Sequence, residues 1–240
     1  AKLSAMTKSE LRDRALYESA WAEKMAGRSA KAMVHYEALL AGFPQSQLLE
    51  TSTFELAELE FEAAEKGAVA QYDAAIGRLT GLVAKTKNSS LRPRAHYRLG
   101  WCHFNKRAFD LAAKSFETVL ADKPPKEIVL PAAYQAGEAR LKRKEFKEAM
   151  ANYQKAVAAN PSDKTLHEQA QLRLGESLGL TGGWPASEET YSKFIASYPK
   201  HDFIRKAHLG IGWARENQKK YALAITSYEK VTESGEPDED

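Results

Sequence analysis

The sequence predicts an all-α fold, a right-handed superhelical solenoid of six helical hairpins. Three observations predict it: small residues that recur at a fixed interval, large apolar residues held in register behind them, and prolines that punctuate the units. Ala20, Ala57, Gly100, Gly137, Gly175 and Gly212 stand 37, 43, 37, 38 and 37 positions apart. A second small residue (Ala32, Ala75, Ala112, Ala149, Ser187, Ala224) follows 12 positions later, or 18 in the second unit. Tyr36, Leu79, Phe116, Tyr153, Tyr191 and Tyr228 come four positions beyond. Pro44, Pro124, Pro161 and Pro199 stand eight further on, with Lys87 and Glu236 in the other two units. A repeat of a few tens of residues is the signature of stacked supersecondary units, each burying its apolar face on the next.

Each element follows from its own pattern. In unit three, Ala95, Leu99, Gly100 and His103 recur at helical spacing and predict a first helix. The polar stretch "NKR" (105–107) predicts the turn of a hairpin. Phe109, Ala112, Ala113, Phe116, Val119 and Leu120 then give one apolar face to a second helix. A glycine within a helix costs about 1 kcal/mol against alanine, so the glycine column predicts a close approach of the two helices. Proline ends each unit because it cannot continue a helix interior. The repeats cover residues 13–46, 50–89, 93–126, 130–163, 168–201 and 205–238, a single array over 1–240. A six-residue insertion around "EKGAVAQ" (65–71) is expected to lengthen a helix or loop of unit two. The acidic end "GEPDED" follows unit six without a polar capping helix. Solenoid ends usually carry one, so the chain is expected to be a slice of a longer array.

Composition narrows the function. With 35 basic and 32 acidic residues the net charge is +3, too balanced to leave an electrostatic footprint for nucleic acid. No apolar run approaches the roughly 18 residues of a membrane span. One cysteine excludes an internal disulfide. Phosphate-loop, zinc-protease and nucleophile-elbow motifs are missing, so neither an enzyme nor a cofactor is expected. The glycine-rich "TGGWP" (181–185) falls at an inter-helix turn and reads as turn chemistry. "LRPRAHYR" (91–98) and "KRKEFK" (142–147) read as an exposed helix start and a polar hairpin turn. His96, Cys102 and His103 raise a thiol or metal site, but Cys102 is turned about 100° from His103 on a helix and no carboxylate completes the set.

These columns resemble the tetratricopeptide repeat, W-x2-L-G-x2-Y…A-x3-F…P. Leu99-Gly100, Ala112, Phe116 and Pro124 hold the pattern in unit three, as do Gly137, Ala149, Tyr153 and Pro161 in unit four. The period departs from the usual length of about 34. Its excess lies after the prolines and is expected to add a turn to the first helices, carrying Leu48, Ile128, Leu166 or Phe203 onto the preceding unit. Long repeats ending in Phe43-Pro44 or Tyr198-Pro199 are similar to those of bacterial periplasmic proteins of outer-membrane assembly and the Tol–Pal system. That likeness implies the periplasm or cell envelope, with the cytoplasm as the alternative.

The resemblance also implies a protein–protein interaction scaffold with a concave face lined by first helices. Slots three before, one after and four to five after the small residue point there. They assign a peptide or protein partner to Tyr17, Trp21, Phe54, Phe61, Tyr97, Trp101, Phe104, Asn105, Tyr134, Trp213 and Asn217. Leu172, Leu209, Glu58, Glu138 and Glu176 hold equivalent slots. Aromatic side chains supply large contact area at low entropy cost. The alternative is that these rings are core, in which case the chain is a structural spacer with no groove ligand. The sequence leaves the partner's identity and the oligomeric state open.

Overall fold

A computed structural model describes residues 8–122, 124–159 and 163–233, and their regular structure is helical throughout. The chain divides into two compact units, Ala1–Pro124 and Pro125–Asp240. The first holds α1 (Lys8–Met25), α2 (Ser29–Gly42), α3 (Leu49–Glu65), α4 (Gln71–Val83), α5 (Leu91–Asn105) and α6 (Phe109–Ala121). The second holds α7 (Lys126–Lys142), α8 (Phe146–Ala158), α9 (Lys164–Leu180), α10 (Trp184–Ser197), α11 (Ile204–Asn217) and α12 (Tyr221–Glu233). Within each unit consecutive helices pair as hairpins, and the hairpins stack in chain order. The fold class is an all-α helical repeat.

The glycine column is explained by rings. A Cβ on Gly100 would lie 2.6 Å from Phe116, one on Gly137 2.5 Å from Tyr153, and one on Gly175 2.8 Å from Tyr191. Gly212 stands in the same relation to Tyr228. The approaching group is therefore the second-helix side chain sixteen positions downstream, not the neighbouring backbone. Unit two carries Leu79 in that slot and tolerates Ala57; both are fully buried. Phe116, Tyr153 and Tyr36 are completely buried and anchor their hairpins. Interiors packed this densely leave no room for an added methyl group.

The hairpin turns share one geometry. Gly27, Gly67, Arg107, Lys144, Gly182 and Lys219 each adopt positive φ. At α5, Arg107 N–H donates to the Phe104 carbonyl and Ala108 N–H to that of His103, both at 2.9 Å, the paired closure that ends many helices. Glycine takes this conformation without steric cost, whereas Arg107, Lys144 and Lys219 bear about 1 kcal/mol each. Thr181-Gly182-Gly183 is such a turn, with Pro185 in the first turn of α10.

The insertion of unit two is shared out rather than looped out. Measured from the small-residue columns, α3 runs three residues longer than α5, its turn two longer, and α4 starts one earlier. The expected extra turn is present in α7 and α9, which carry Ile128 and Leu166, both partly buried. In units two and six the same segment forms turns outside the helices, around Leu48 and Phe203.

Candidate interaction surface

In the first unit, the face made by α1, α3 and α5 is filled by its own side chains. Phe54 and Phe61 are buried. The Arg94 guanidinium stands 4.7 Å above the Phe54 ring and that of Arg98 4.2 Å above Phe61. Arg98 also donates from Nε and Nη2 to both Glu58 oxygens, at 2.6 and 2.7 Å. Burial opposes its charge, yet the Glu58 carboxylate outweighs burial and holds Arg98 above its ordinary value. Lys24 Nζ donates to Glu55 at 2.7 Å. Tyr97, Trp101 and Phe104 form a half-buried edge-to-face series at 6.4 and 5.9 Å, and Tyr17 meets Tyr36 in the same way at 5.9 Å. Asn105 donates to the Tyr72 hydroxyl at 2.9 Å. Trp21 is 50% exposed.

The second unit opens instead. A groove of about 740 Å³ runs between Tyr134 of α7, Leu172, Arg173, Glu176 and Leu180 of α9, Tyr191 of α10, and Lys206, Leu209, Gly210 and Trp213 of α11, with Phe203 and Tyr228 alongside. That size suits a few side chains of a bound segment. Trp213 is seated over Gly179, where a Cβ would lie 2.5 Å from its ring, and meets Trp184 edge-on at 4.9 Å. Arg173 ties Nε to Glu138 and Nη1 to Glu176, both at 2.9 Å, while the Tyr153 hydroxyl donates to Glu138 at 2.6 Å. Burial opposes the Arg173 charge, but the two carboxylates outweigh it and raise its pKa. Burial, with Glu176 nearby, also raises the Tyr191 phenol, so it stays protonated at neutral pH and can donate. Lys206 lies 5.9 Å from the Phe203 ring. Asn217 is exposed and donates back to the Trp213 carbonyl at 2.9 Å. Apolar walls, a phenol donor, two cations (Arg173 and Lys206) and one carboxylate (Glu176) suit a mixed apolar segment.

Elsewhere the chemistry is structural. Cys102 is buried among Phe61, Ala64, Leu99 and their neighbours, and burial pushes its thiol up to about 12. Burial lowers both His96 and His103. Among the described residues no group of three or more His, Cys, Asp or Glu could hold a metal ion, and no helix is long and apolar enough to cross a membrane. One arginine of each basic stretch is paired, Arg92 with Asp122 at 2.6 Å and Arg143 with Glu145 at 2.7 Å, and the neighbouring Arg140 joins Glu145 at 2.8 Å.

Of the residues assigned from the resemblance, the groove gathers Tyr134 and Trp213, joined by the slot residues Leu172, Glu176 and Leu209. The assigned residues from Tyr17 to Asn105 belong to the first unit. Sequence reasoning passed over Arg173, Leu180 and Lys206, and treated Tyr191 and Tyr228 only as core. Leu180 could have been found, since it stands five after Gly175. Models of the tetratricopeptide repeat match residues 14–46, 62–127, 130–163, 169–201 and 206–234. No curated protein matches the chain. A tetratricopeptide repeat protein from Parabacteroides merdae is similar in structure, with TM-score 0.62 and 17% identity over 95% of this chain and 81% of that one. YrrB, a TPR protein with an unusual peptide-binding site, gives TM-score 0.63 and 17% identity over 82% and 91%. MamA from Desulfovibrio magneticus gives TM-score 0.58 and 20% identity over 75% and 94%. At such identities the likeness is one of fold.

Proposed function

Because the chain belongs to the tetratricopeptide-repeat family, we propose that it is a non-catalytic protein-interaction scaffold whose second unit takes a partner's peptide segment into its groove. One observation carries this reading: the 740 Å³ opening between α7, α9 and α11. Buried apolar anchors flanked by a few polar groups are how grooves of this kind hold peptides. The test is selection of binders from a displayed random-peptide library, followed by fluorescence anisotropy on the chain and its variants. Leu180→Asp and Lys206→Glu, both at exposed positions, are expected to weaken the selected peptides at least tenfold. Full affinity in both variants, or a library without binders, would refute the groove.

A structural spacer is the second reading, and it is favoured in the first unit, where Arg94 and Arg98 cover the rings. Placement in the periplasm or cell envelope is supported by the long period and the Phe43-Pro44 and Tyr198-Pro199 endings. Cell fractionation checks it.

A further inference from the structure

The slots that stay open beneath a following repeat are shown inside the second unit, because α11 stacks on α9 and α10. Ala207 and Ile211 of α11 join Leu172, Tyr191 and Phe194 in one cluster, and all five are buried. The side chains of Arg173 and Glu176 nevertheless remain 33% and 40% exposed, Leu180 is 37% exposed, and Gln169 stays half-buried. Units five and six share a register of 37 positions, from Gly175 to Gly212. In that register Lys206 is the counterpart of Gln169, and Trp213 that of Glu176. Lys206 and Trp213 thus line the groove by their place in the repeat, whatever follows α12.

Charge is divided across this face. The Arg173 guanidinium is spent on two carboxylates, with Nη2 reaching the second Glu138 oxygen at 3.3 Å beside the two contacts at 2.9 Å. The Glu138 side chain, 14% exposed, is further held by the Tyr153 hydroxyl. The three charged groups leave one net negative charge, and its open end is Glu176. Lys206 offers the opposite sign: its Nζ lies over the Phe203 ring and, among the described residues, meets no carboxylate. Between the two lies the Tyr191 ring, set against Gly175 and Gly210. Glu176 and Lys206 stand seven slots apart in the repeat. That is about 10 Å along the helices and about as much across them, a reach of about 14 Å.

We propose that the segment taken into this groove is extended and carries its charges in order: an acidic residue against Lys206, an apolar residue on Tyr191 and a basic residue against Glu176. This assignment rests on the groove reading of the function. About four extended residues cover the reach. A helix would need about nine, more than a groove of about 740 Å³, with room for a few side chains, takes in. Complementary charges at two fixed points set the register of a bound segment and reject wrong partners. Neither Leu209 nor Tyr228, counterparts of the sealed Leu172 and Tyr191, contributes to it.

The probes are the peptides selected from the displayed library on the 240-residue chain, with the tightest of them followed by fluorescence anisotropy. Their sequences are expected to place an acidic and a basic residue about four positions apart around an apolar one. Lys206→Glu should weaken the tightest peptide at least tenfold. Exchanging the peptide's acidic residue for lysine should restore its affinity for that variant to within roughly threefold, while weakening it on the unaltered chain. Glu176→Gln should lower affinity only for peptides that keep their basic residue. Circular dichroism confirms that each variant is folded. An equal loss for peptides with and without the acidic residue, or selected peptides that lack the charge pair, overturns the inference. Charges about nine positions apart in helical peptides also overturn it, in favour of a bound helix. Peptides that depend on Leu180 but on neither Lys206 nor Glu176 would leave the groove standing without this charge order. A library without binders removes both.

Discussion

The two units repeat one hairpin but treat the same slot differently. Two positions before the small residue, unit three carries Arg98, unit five Arg173 and unit six Gly210. Arg98 reaches the Glu58 of the preceding repeat and roofs Phe61; Arg173 reaches the preceding Glu138 in the same way. Gly210 reaches nothing, and Tyr191 and Glu176 are left lining a groove. Where this slot holds Arg98 or Arg173 a side chain ties to the preceding repeat, and where it holds Gly210 none does.

Arg98→Ala attacks the seal most directly. It strands a largely buried Glu58 and uncovers Phe61, so denaturant unfolding should show a loss of about 3 kcal/mol. A loss under about 1 kcal/mol would mean that the roof is ornamental. Gly175→Ala tests the shared packing. A methyl group 2.8 Å from Tyr191 should cost about 2 kcal/mol, and Tyr191→Leu in the same chain should recover part of it in thermal melts.

One carboxylate in each unit should answer pH in opposite senses. In the first, burial raises the Glu60 carboxyl despite Arg78, and its Oε2 has no hydrogen-bond partner. Its stabilising contribution is therefore full below the ordinary carboxylate range and falls away as pH rises through the raised value. In the second, burial is outweighed by Arg215 and Gln218, and Glu188 is lowered. Its contribution is full above the ordinary range and lost as pH falls through the lowered value. At pH 7, Glu188→Gln should cost about 1 kcal/mol and Glu60→Gln nothing or less. Unfolding curves between pH 3 and pH 8 should show the Glu188→Gln deficit closing in acid; a pH-independent deficit would contradict the assignment. The smallest effect is expected at the turns: Lys144→Gly relieves positive φ and should stabilise the second unit by about 0.5–1 kcal/mol.

The sequence pattern made the hairpins legible because their period follows a packing contact: the Phe116 and Tyr153 rings lie where a side chain on Gly100 or Gly137 would stand, and the first repeat sets the small Ala20 in the same slot against Tyr36. The face was only half legible. Tyr134 and Trp213 were placed through the family's slots, but whether such a ring is roofed depends on residues from the next repeat. Arg98 covers Phe61 across 37 positions of chain, a relation that no local periodicity contains. Arg173 and Lys206 escaped for the same reason, since a charge on an exposed-looking helix gives no sign of the partner it will meet.

Cys102 carries one last consequence. As the sole thiol, sealed between α3 and α5 in the first unit, it can react with an alkylating reagent only when those helices part. The rate of maleimide incorporation, read by mass spectrometry in native buffer, thus clocks how often this half of the molecule breathes, with no engineered label.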